Sequence, residues 1–555
     1  MPRAWIQITS IIAITLLVYQ LSPSAGFMPI DDGALTFKNP LVQEFNLETL
    51  KGAFTTYDPE LYLPLTVISY QIDYLLGGGS SFPFHITNLL LHILNAVLVL
   101  LLVWQLPRHA LDKKRWIPFL TAILFAIHPL HTEAVMWVAA RKDLLSTAFY
   151  IGSLILYCKY RRDPKRTLAL GSLALFFLGL LSKVTVVTLP LVLIIIDDLI
   201  PSKKRTEDHL LKWAYYIPAA VFLFIGMFGK TLSVYVLSYF ETFLLAAKSS
   251  VFYLQKIFWP TDFLLFYQQV DPVTLLSPQF AFPITIIILM ITLAIASRRY
   301  TKLIAFGLLW FGITLLPNLA NFSRWNTSVV IFASDRYAYL PSIGIFFIVA
   351  SAVVIFYNNS RFKHATAGCA IAIFVTMSCI TYRQSLLWIT PLPILSHTIS
   401  EEPHTSLAHA LIGIVLMTND NYSDAISHLR TAVEITPKFS DARSHLGLAL
   451  IKNGQREEGI IELQETINLE PSYMDAHVYL AYGQVVGGED IKAEETLNFV
   501  LDTYPNTAKA LHLLGTLEHK RGNVEKAKEL YKQSLQANPN SIQVKSVLRR
   551  LLENQ

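Results

Sequence analysis

Two adjacent carboxylates, Asp31 and Asp32, stand just beyond the first apolar run, about Trp5 to Leu21. At the mouth of a many-helix bundle, against the bilayer surface, is where a general base acting on a lipid-linked substrate has to sit. The triplet Asp31-Asp32-Gly33 also reads as a polar turn leaving the membrane. Farther on, His128-x-x-His131-x-Glu133 gathers two imidazoles and a carboxylate, but not at the HExxH spacing that puts zinc ligands on one helical face. His85 and His92 sit at the start of an apolar run and read as helix-packing residues. Cys158, Cys369 and Cys379 lie in or beside apolar runs, so they suggest neither a disulfide framework nor a thiolate metal site and read as packing residues.

The elements that must hold these groups are apolar for most of the chain. Up to about residue 390 of 555, long hydrophobic runs alternate with short polar breaks; beyond that, charged residues return to the density of soluble domains. The first run is long for a signal-peptide core and lacks a clear small-residue cleavage site, so it is expected to be a retained helix. Spans of about twenty residues fit near 5–22, 84–106, 117–131, 144–160, 167–183, 184–200, 211–229, 281–297, 302–319, 338–357 and 364–382, which makes about eleven. The segments 62–76 and 243–260 are read as helices lying in the outer interface.

Basic residues collect at Arg3, Arg108 to Arg115, Lys159 to Arg166, Lys203 to Arg205, Arg298 to Lys302 and Arg361 to Lys363, and are placed in the cytoplasm. An odd number of spans then carries the C-terminal region outside. A net charge of +5, from 45 basic and 40 acidic residues, speaks against a nucleic-acid partner.

The last 150 or so residues repeat. Pro437, Pro471, Pro505 and Pro539 are each 34 residues apart, the period of tetratricopeptide repeats. In the same register small residues recur at Gly413, Gly447, Ala481 and Gly515 and at Ala425, Gly459, Ala493 and Ala527, where helices must cross closely. The expected fold is therefore all-α: a polytopic membrane bundle over 1–390, a linker 391–405, and a solenoid over 406–555, with four repeats to 541 and a capping helix at 542–552. Such solenoids present a concave surface for peptides or partner proteins.

An ordered set of motifs runs through the apolar half: Asp31-Asp32, Asn39-Pro40, Tyr62-Leu63-Pro64-Leu65-Thr66, Phe84-His85-Ile86-Thr87-Asn88, Leu91-His92, His128-Pro129-Leu130-His131-Thr132-Glu133-Ala134-Val135 with Arg141-Lys142-Asp143, Leu181-Ser182-Lys183 with Thr188-Leu189-Pro190, Trp259-Pro260, and Asp335-Arg336-Tyr337-Ala338-Tyr339-Leu340-Pro341-Ser342. Together with the repeats, this set resembles the transmembrane and tetratricopeptide-repeat-containing O-mannosyltransferases and their bacterial relatives, of the GT-C glycosyltransferase superfamily. Leu63 departs from the family's usual Tyr-Arg-Pro-Leu, so whatever that arginine contacts does not carry over.

The resemblance implies transfer of mannose or another hexose from a polyprenyl-phosphate donor to an extracytoplasmic acceptor, normally a Ser or Thr hydroxyl of a protein recruited by the repeats. An acid of the first extracytoplasmic loop deprotonates the acceptor in this superfamily, and Asp31 and Asp32 match that place. One would be the base; the other would orient the acceptor or hold a metal. Cations are then expected at the leaving phosphate: Arg141, Lys142, Lys183 and Arg336 are candidates, unless they only snorkel to the headgroups. His131 and Glu133 would bond the donor sugar or phosphate, or a divalent ion, while His128 reads as a satisfied interfacial residue. Beyond the donor lipid and a possible divalent metal, no cofactor is expected. A bacterial inner membrane with periplasmic repeats is the expected location. Two rival readings are an envelope scaffold without catalysis and transfer to a glycan or lipid acceptor.

Overall fold

A computed structural model of the chain describes residues 2–57, 61–107, 116–200, 208–230, 238–269, 273–319, 323–325, 329–359, 361–538 and 541–553. The basic stretches 108–115 and 203–205, and Pro539, lie outside the described residues. The chain falls into two compact units, Met1–Arg324 with Val330–His397 and Thr398–Gln555 with Trp325–Val329.

In the first unit the central element is helix Ser81–Gln105, opened by Ser80, whose hydroxyl accepts from the Phe82 N–H. Its buried face carries His85, Asn88, His92 and Asn95 at helical spacing. These polar groups serve neighbouring backbone: His85 faces the Gly26 carbonyl at 3.3 Å, Asn88 donates to Trp137 O at 3.0 Å, His92 meets Ala126 O at 3.1 Å, and Asn95 donates to Leu144 O at 2.9 Å. Irregular backbone inside an apolar bundle needs such donors, because no water is there to supply them. The histidines of this helix are therefore packing residues.

One such irregular segment follows helix Trp116–Ile127. Pro129 has no N–H to continue the helix, and His128 caps a short 3-10 turn by accepting from the Leu130 N–H. The chain bends by 54° into Thr132–Met136, so the expected span 117–131 is broken where its motif begins. Among the described residues, five helices are long and apolar enough to cross a membrane: Ala4–Ser24, Ser81–Gln105, Leu211–Phe228, Pro278–Ser297 and Lys363–Leu387. The bent pair makes a sixth if it is counted as one span. Of the other expected spans, 144–160 lies within the 22-residue helix Arg141–Arg162, whereas others are shorter helices, such as Leu189–Leu199 with 11 residues, which at 1.5 Å per residue covers about half of a roughly 30 Å core.

A small sheet, absent from the expected all-α plan, has the order Tyr267–Gln269, Val329–Ala333, Ser323–Trp325. Tyr267 pairs with Ala333 and Gln269 with Val330, antiparallel. The β-branched run Val329-Val330-Ile331 was its signal in the sequence. Its middle strand feeds directly into Ser334-Asp335-Arg336. Of the cysteines, Cys158 is buried, whereas Cys369 and Cys379 are exposed rather than packed.

The stretch 391–405 is more than a linker. Helix Pro391–Glu401 begins on a proline, whose missing N–H has no partner to lose in a first turn, and Ile394 and Leu395 are fully buried.

The second unit is a ladder of antiparallel helix pairs. First helices begin at Ser406, Ser440, Met474 and Ala508, second helices at Tyr422, Arg456, Asp490 and Val524, and Ile542–Glu553 closes the array. The small residues are needed for close crossing: a Cβ on Gly447 would stand 2.6 Å from Leu463 Cγ and 2.9 Å from the Gly459 carbonyl oxygen. The turn between helices reaches positive φ at Gly454, Gly488 and Gly522.

Candidate active site

Asp31 and Asp32 separate completely. Asp32 is fully buried, its Oδ2 accepting from the Met28 N–H and its Oδ1 from the Ala139 N–H, each at 2.8 Å. Each oxygen thus accepts a backbone N–H inside the fold. Asp32 ties the first loop to the 3-10 turn Val138–Ala140, directly before Arg141-Lys142-Asp143. Asp31 is exposed and stands at the N-cap position of the one-turn helix Asp32–Leu35 with φ 61° and ψ −44°; its carbonyl accepts from the Leu35 N–H at 2.8 Å, and its side chain makes no hydrogen bond or ion pair among the described residues. Positive φ at a non-glycine residue is a strained conformation that persists only where the surroundings impose it; here the buried Asp32 anchor does so.

Burial pushes the Asp32 carboxyl up to about 8, against the pull of the two backbone donors. A folded-state value above the ordinary one contributes stability that is complete below the unfolded carboxylate range and is lost as pH rises through about 8. Trypsin cleavage after the exposed Lys38 reads this loop. In Asp32→Asn the amide NH2 would face one of the two N–H donors and leave it unpaired, costing about 1–3 kcal/mol. Cleavage of Asp32→Asn should be fast at every pH, and the ratio of mutant to unaltered rate should shrink between pH 7 and 9. A ratio constant over that range would remove the linkage.

Arg141 does not face a donor site. It is fully buried, with Nη1 2.5 Å from Asp73 Oδ2, Nε donating to Asn88 Oδ1 at 2.6 Å, Nη2 donating to Phe84 O at 2.6 Å, and the guanidinium 4.9 Å from the Tyr70 ring centroid. The residue expected at the phosphate thus stitches helix Arg141–Arg162 to helices Pro64–Gly77 and Ser81–Gln105. Asp73, its counterion, lies in an unremarkable stretch and carried no sequence signal. His131 is enclosed likewise. It is fully buried, with Nδ1 2.7 Å from Phe125 O and Nε2 3.0 Å from Ser342 Oγ, so neither nitrogen is free for sugar or metal. His128, read as satisfied, meets Ile257 O at 3.0 Å.

Glu133 is also buried, and its work is on Arg336. It accepts from Ser334 Oγ at 2.6 Å and from the Arg336 N–H at 3.0 Å, and pairs with the Arg336 guanidinium. One carboxylate thereby fixes the motif around Arg336 to the motif around Glu133, across 203 residues of sequence. It thereby orients Arg336. Arg336 lies 4.4 Å from the Trp137 ring centroid and borders a cleft with Tyr337, Asp143, Thr185 and Asn318. Lys183 donates to Asp143 Oδ1 at 2.5 Å and sits 5.4 Å from the Tyr337 ring centroid. Asp31 exerts its charge on both Lys142 and Arg336. The structure therefore brings Asp31, Lys142, Lys183 and Arg336 into one electrostatic group, and leaves Asp32, His131, Glu133 and Arg141 as its framework.

Behind this group, Asp335 accepts from the Tyr267 hydroxyl at 3.0 Å, and burial together with the Glu133 charge holds its carboxyl well above the usual range. Lys256, which lowers it, donates to Thr261 O and Asp262 O at 2.7 Å each. Among the described residues, no three His, Cys, Asp or Glu side chains gather as a metal site.

Comparison with known proteins follows the same division. Residues 508–541 match the tetratricopeptide repeat model. Protein O-mannosyl-transferase F38B6.6 of Caenorhabditis elegans is 26% identical over 455 residues, covering 77% of this chain and 62% of the worm protein. Protein O-mannosyl-transferase Tmtc2 of Drosophila melanogaster is 34% identical over 166 residues, or 29% of this chain and 17% of the fly protein. Among solved structures, the tetratricopeptide protein TTC0263 of Thermus thermophilus aligns with 33% of this chain and 95% of its own, at 18% identity and a TM-score of 0.27. The chain thus spans less than two thirds of these curated relatives. Over these stretches it is similar to proteins named protein O-mannosyl-transferases.

Proposed function

We propose that this chain is a membrane glycosyltransferase that moves mannose or another hexose from a polyprenyl-phosphate carrier to a hydroxyl on the extracytoplasmic side. The observation that carries the reading is the exposed Asp31, its side chain unpaired among the described residues, beside buried Asp32 and at positive φ, with a charge that acts on Lys142 and Arg336. The names of the relatives support the same reading. Asp31 accepts the proton of the acceptor hydroxyl as its oxygen bonds to the sugar's anomeric carbon. The bond from that carbon to the phosphate oxygen breaks, and its electron pair leaves with the phosphate. Arg336, oriented by Glu133, and Lys183, oriented by Asp143, meet the charge that develops there.

The repeats recruit the acceptor, a protein presenting Ser or Thr, in keeping with the surfaces such solenoids offer. We place the chain in a bacterial inner membrane with the repeats in the periplasm. The test is the full chain in proteoliposomes, supplied with polyprenyl phosphate carrying radiolabelled mannose or glucose and with Ser/Thr peptides, glycans or lipids. Label on peptide is the expected result. Label on glycan or lipid alone would overturn the protein acceptor, and no transfer from any donor would overturn the activity.

A further inference from the structure

Asp143 stands in the first turn of helix Arg141–Arg162 and is 7% exposed. Its two oxygens differ. Oδ1 accepts from the Lys183 ammonium at 2.5 Å, whereas Oδ2 is buried with no hydrogen-bond partner among the described residues. A buried carboxylate oxygen in that state costs free energy until a donor reaches it. A metal cation does not suit the place: Lys183 already holds the other oxygen, Arg336 borders the same cleft, and no three His, Cys, Asp or Glu side chains gather among the described residues. The missing partner is a neutral O–H or N–H.

Much of the lining of that cleft accepts hydrogen bonds. Thr314 Oγ1 donates to Trp310 O at 2.7 Å, Ser146 Oγ to Asp143 O at 3.3 Å and Asn318 Nδ2 to Tyr337 O at 3.2 Å, which leaves two hydroxyl oxygens and an amide oxygen as acceptors. Thr147, one turn after Asp143 on the same helix, and Thr185 add hydroxyls able to donate or accept. An acceptor-rich lining calls for a ligand that brings several O–H groups. A Ser or Thr side chain brings one, and a hexose brings several around one ring.

We propose that Asp143 determines which sugar the chain accepts, its Oδ2 taking one hydroxyl of the hexose on the donor lipid. The assignment rests on the transfer reading and adds to it the residue that reads the sugar. The cleft is narrow and takes one edge of the ring. A sugar with a hydroxyl at that edge satisfies Oδ2, while one without it leaves the oxygen unpaired in a closed site, and a penalty of that kind is how a polar pocket rejects a deoxy analogue. The Lys183 ammonium fixes the carboxylate through Oδ1, so Oδ2 is held in place before the sugar arrives.

The experiment measures binding to the detergent-purified full chain of polyprenyl phosphate carrying mannose or glucose, of the monodeoxy forms of each, and of bare polyprenyl phosphate. The readout is the ratio of affinities, sugar-loaded over bare. For the unaltered chain, one hexose-loaded lipid should bind more tightly than the bare lipid, and one of its deoxy forms should lose about tenfold or more. Asp143→Asn keeps an oxygen for Lys183 but puts an NH2 where the hydroxyl needs an acceptor. It should lower the ratio by a similar factor, bind bare lipid as before, and no longer distinguish the full sugar from that deoxy form. Should Asp143→Asn fail to fold, Asp143→Asn with Lys183→Met, which leaves neither charge unpaired, reads the same ratio. An unchanged ratio overturns the proposal. So does an equal loss for loaded and bare lipid, a set of deoxy forms that all bind like the full sugar, or slower transfer with sugar binding intact, which would put Asp143 on the acceptor. A ratio lost in Asp143→Asn with no sugar transfer by the unaltered chain would sink the transferase reading but keep the sugar site. Transfer by the unaltered chain with an unchanged ratio in Asp143→Asn would do the reverse.

Discussion

Asp31→Asn should lower sugar transfer by roughly 10²–10⁴-fold, the loss expected when a general base is removed. Size and most polarity are kept, and Asn accepts positive φ better than most residues, so the turn at φ 61° should survive. The side chain is exposed and bonds to nothing, so stability and donor binding should change far less than the rate. The measurement is single-turnover transfer with saturating donor, beside the melting temperature of the same preparation. A well-folded Asp31→Asn protein that transfers at the unaltered rate would remove Asp31 from the chemistry. Asp143, whose Oδ2 is buried without a hydrogen-bond partner, would then be the next acid to test.

Arg141→Met should do the opposite, unfolding the membrane unit rather than slowing a folded enzyme. Removing one partner of a buried ion pair costs about 3–5 kcal/mol, because the other charge is left uncompensated. Here that charge is Asp73, 1% exposed, which also accepts from the Thr87 hydroxyl at 2.6 Å. The Phe84 carbonyl and Asn88 lose donors at the same time. Yield of monodisperse protein and its melting temperature should both fall, and Arg141→Met with Asp73→Leu should recover much of the loss, since an apolar pair can replace a buried ionic one. If Arg141→Met instead melted normally and only bound polyprenyl phosphate less well, Arg141 would be a donor ligand after all.

The repeat array needed little beyond the sequence. A helix pair repeating every 34 residues packs each unit on its neighbours alone, so proline spacing and small residues such as Gly447 report local contacts directly. The helical character of the first unit and its motif set were equally legible, because apolar runs are a local property. Residue roles inside those motifs were not. Asp31 and Asp32 are chemically identical and adjacent, and only the fold decides that one faces two backbone N–H groups while the other faces solvent. Arg141 and Lys142 look equally available in sequence, but Asp73, 68 positions earlier, claims the first. Glu133 reads as a site residue until Arg336 arrives from 203 positions away to take it. The division has one cause. Hydrophobic period and repeat length are fixed by near neighbours along the chain, whereas whether a charged group is spent on structure or left for a ligand depends on partners that meet it only when distant segments pack.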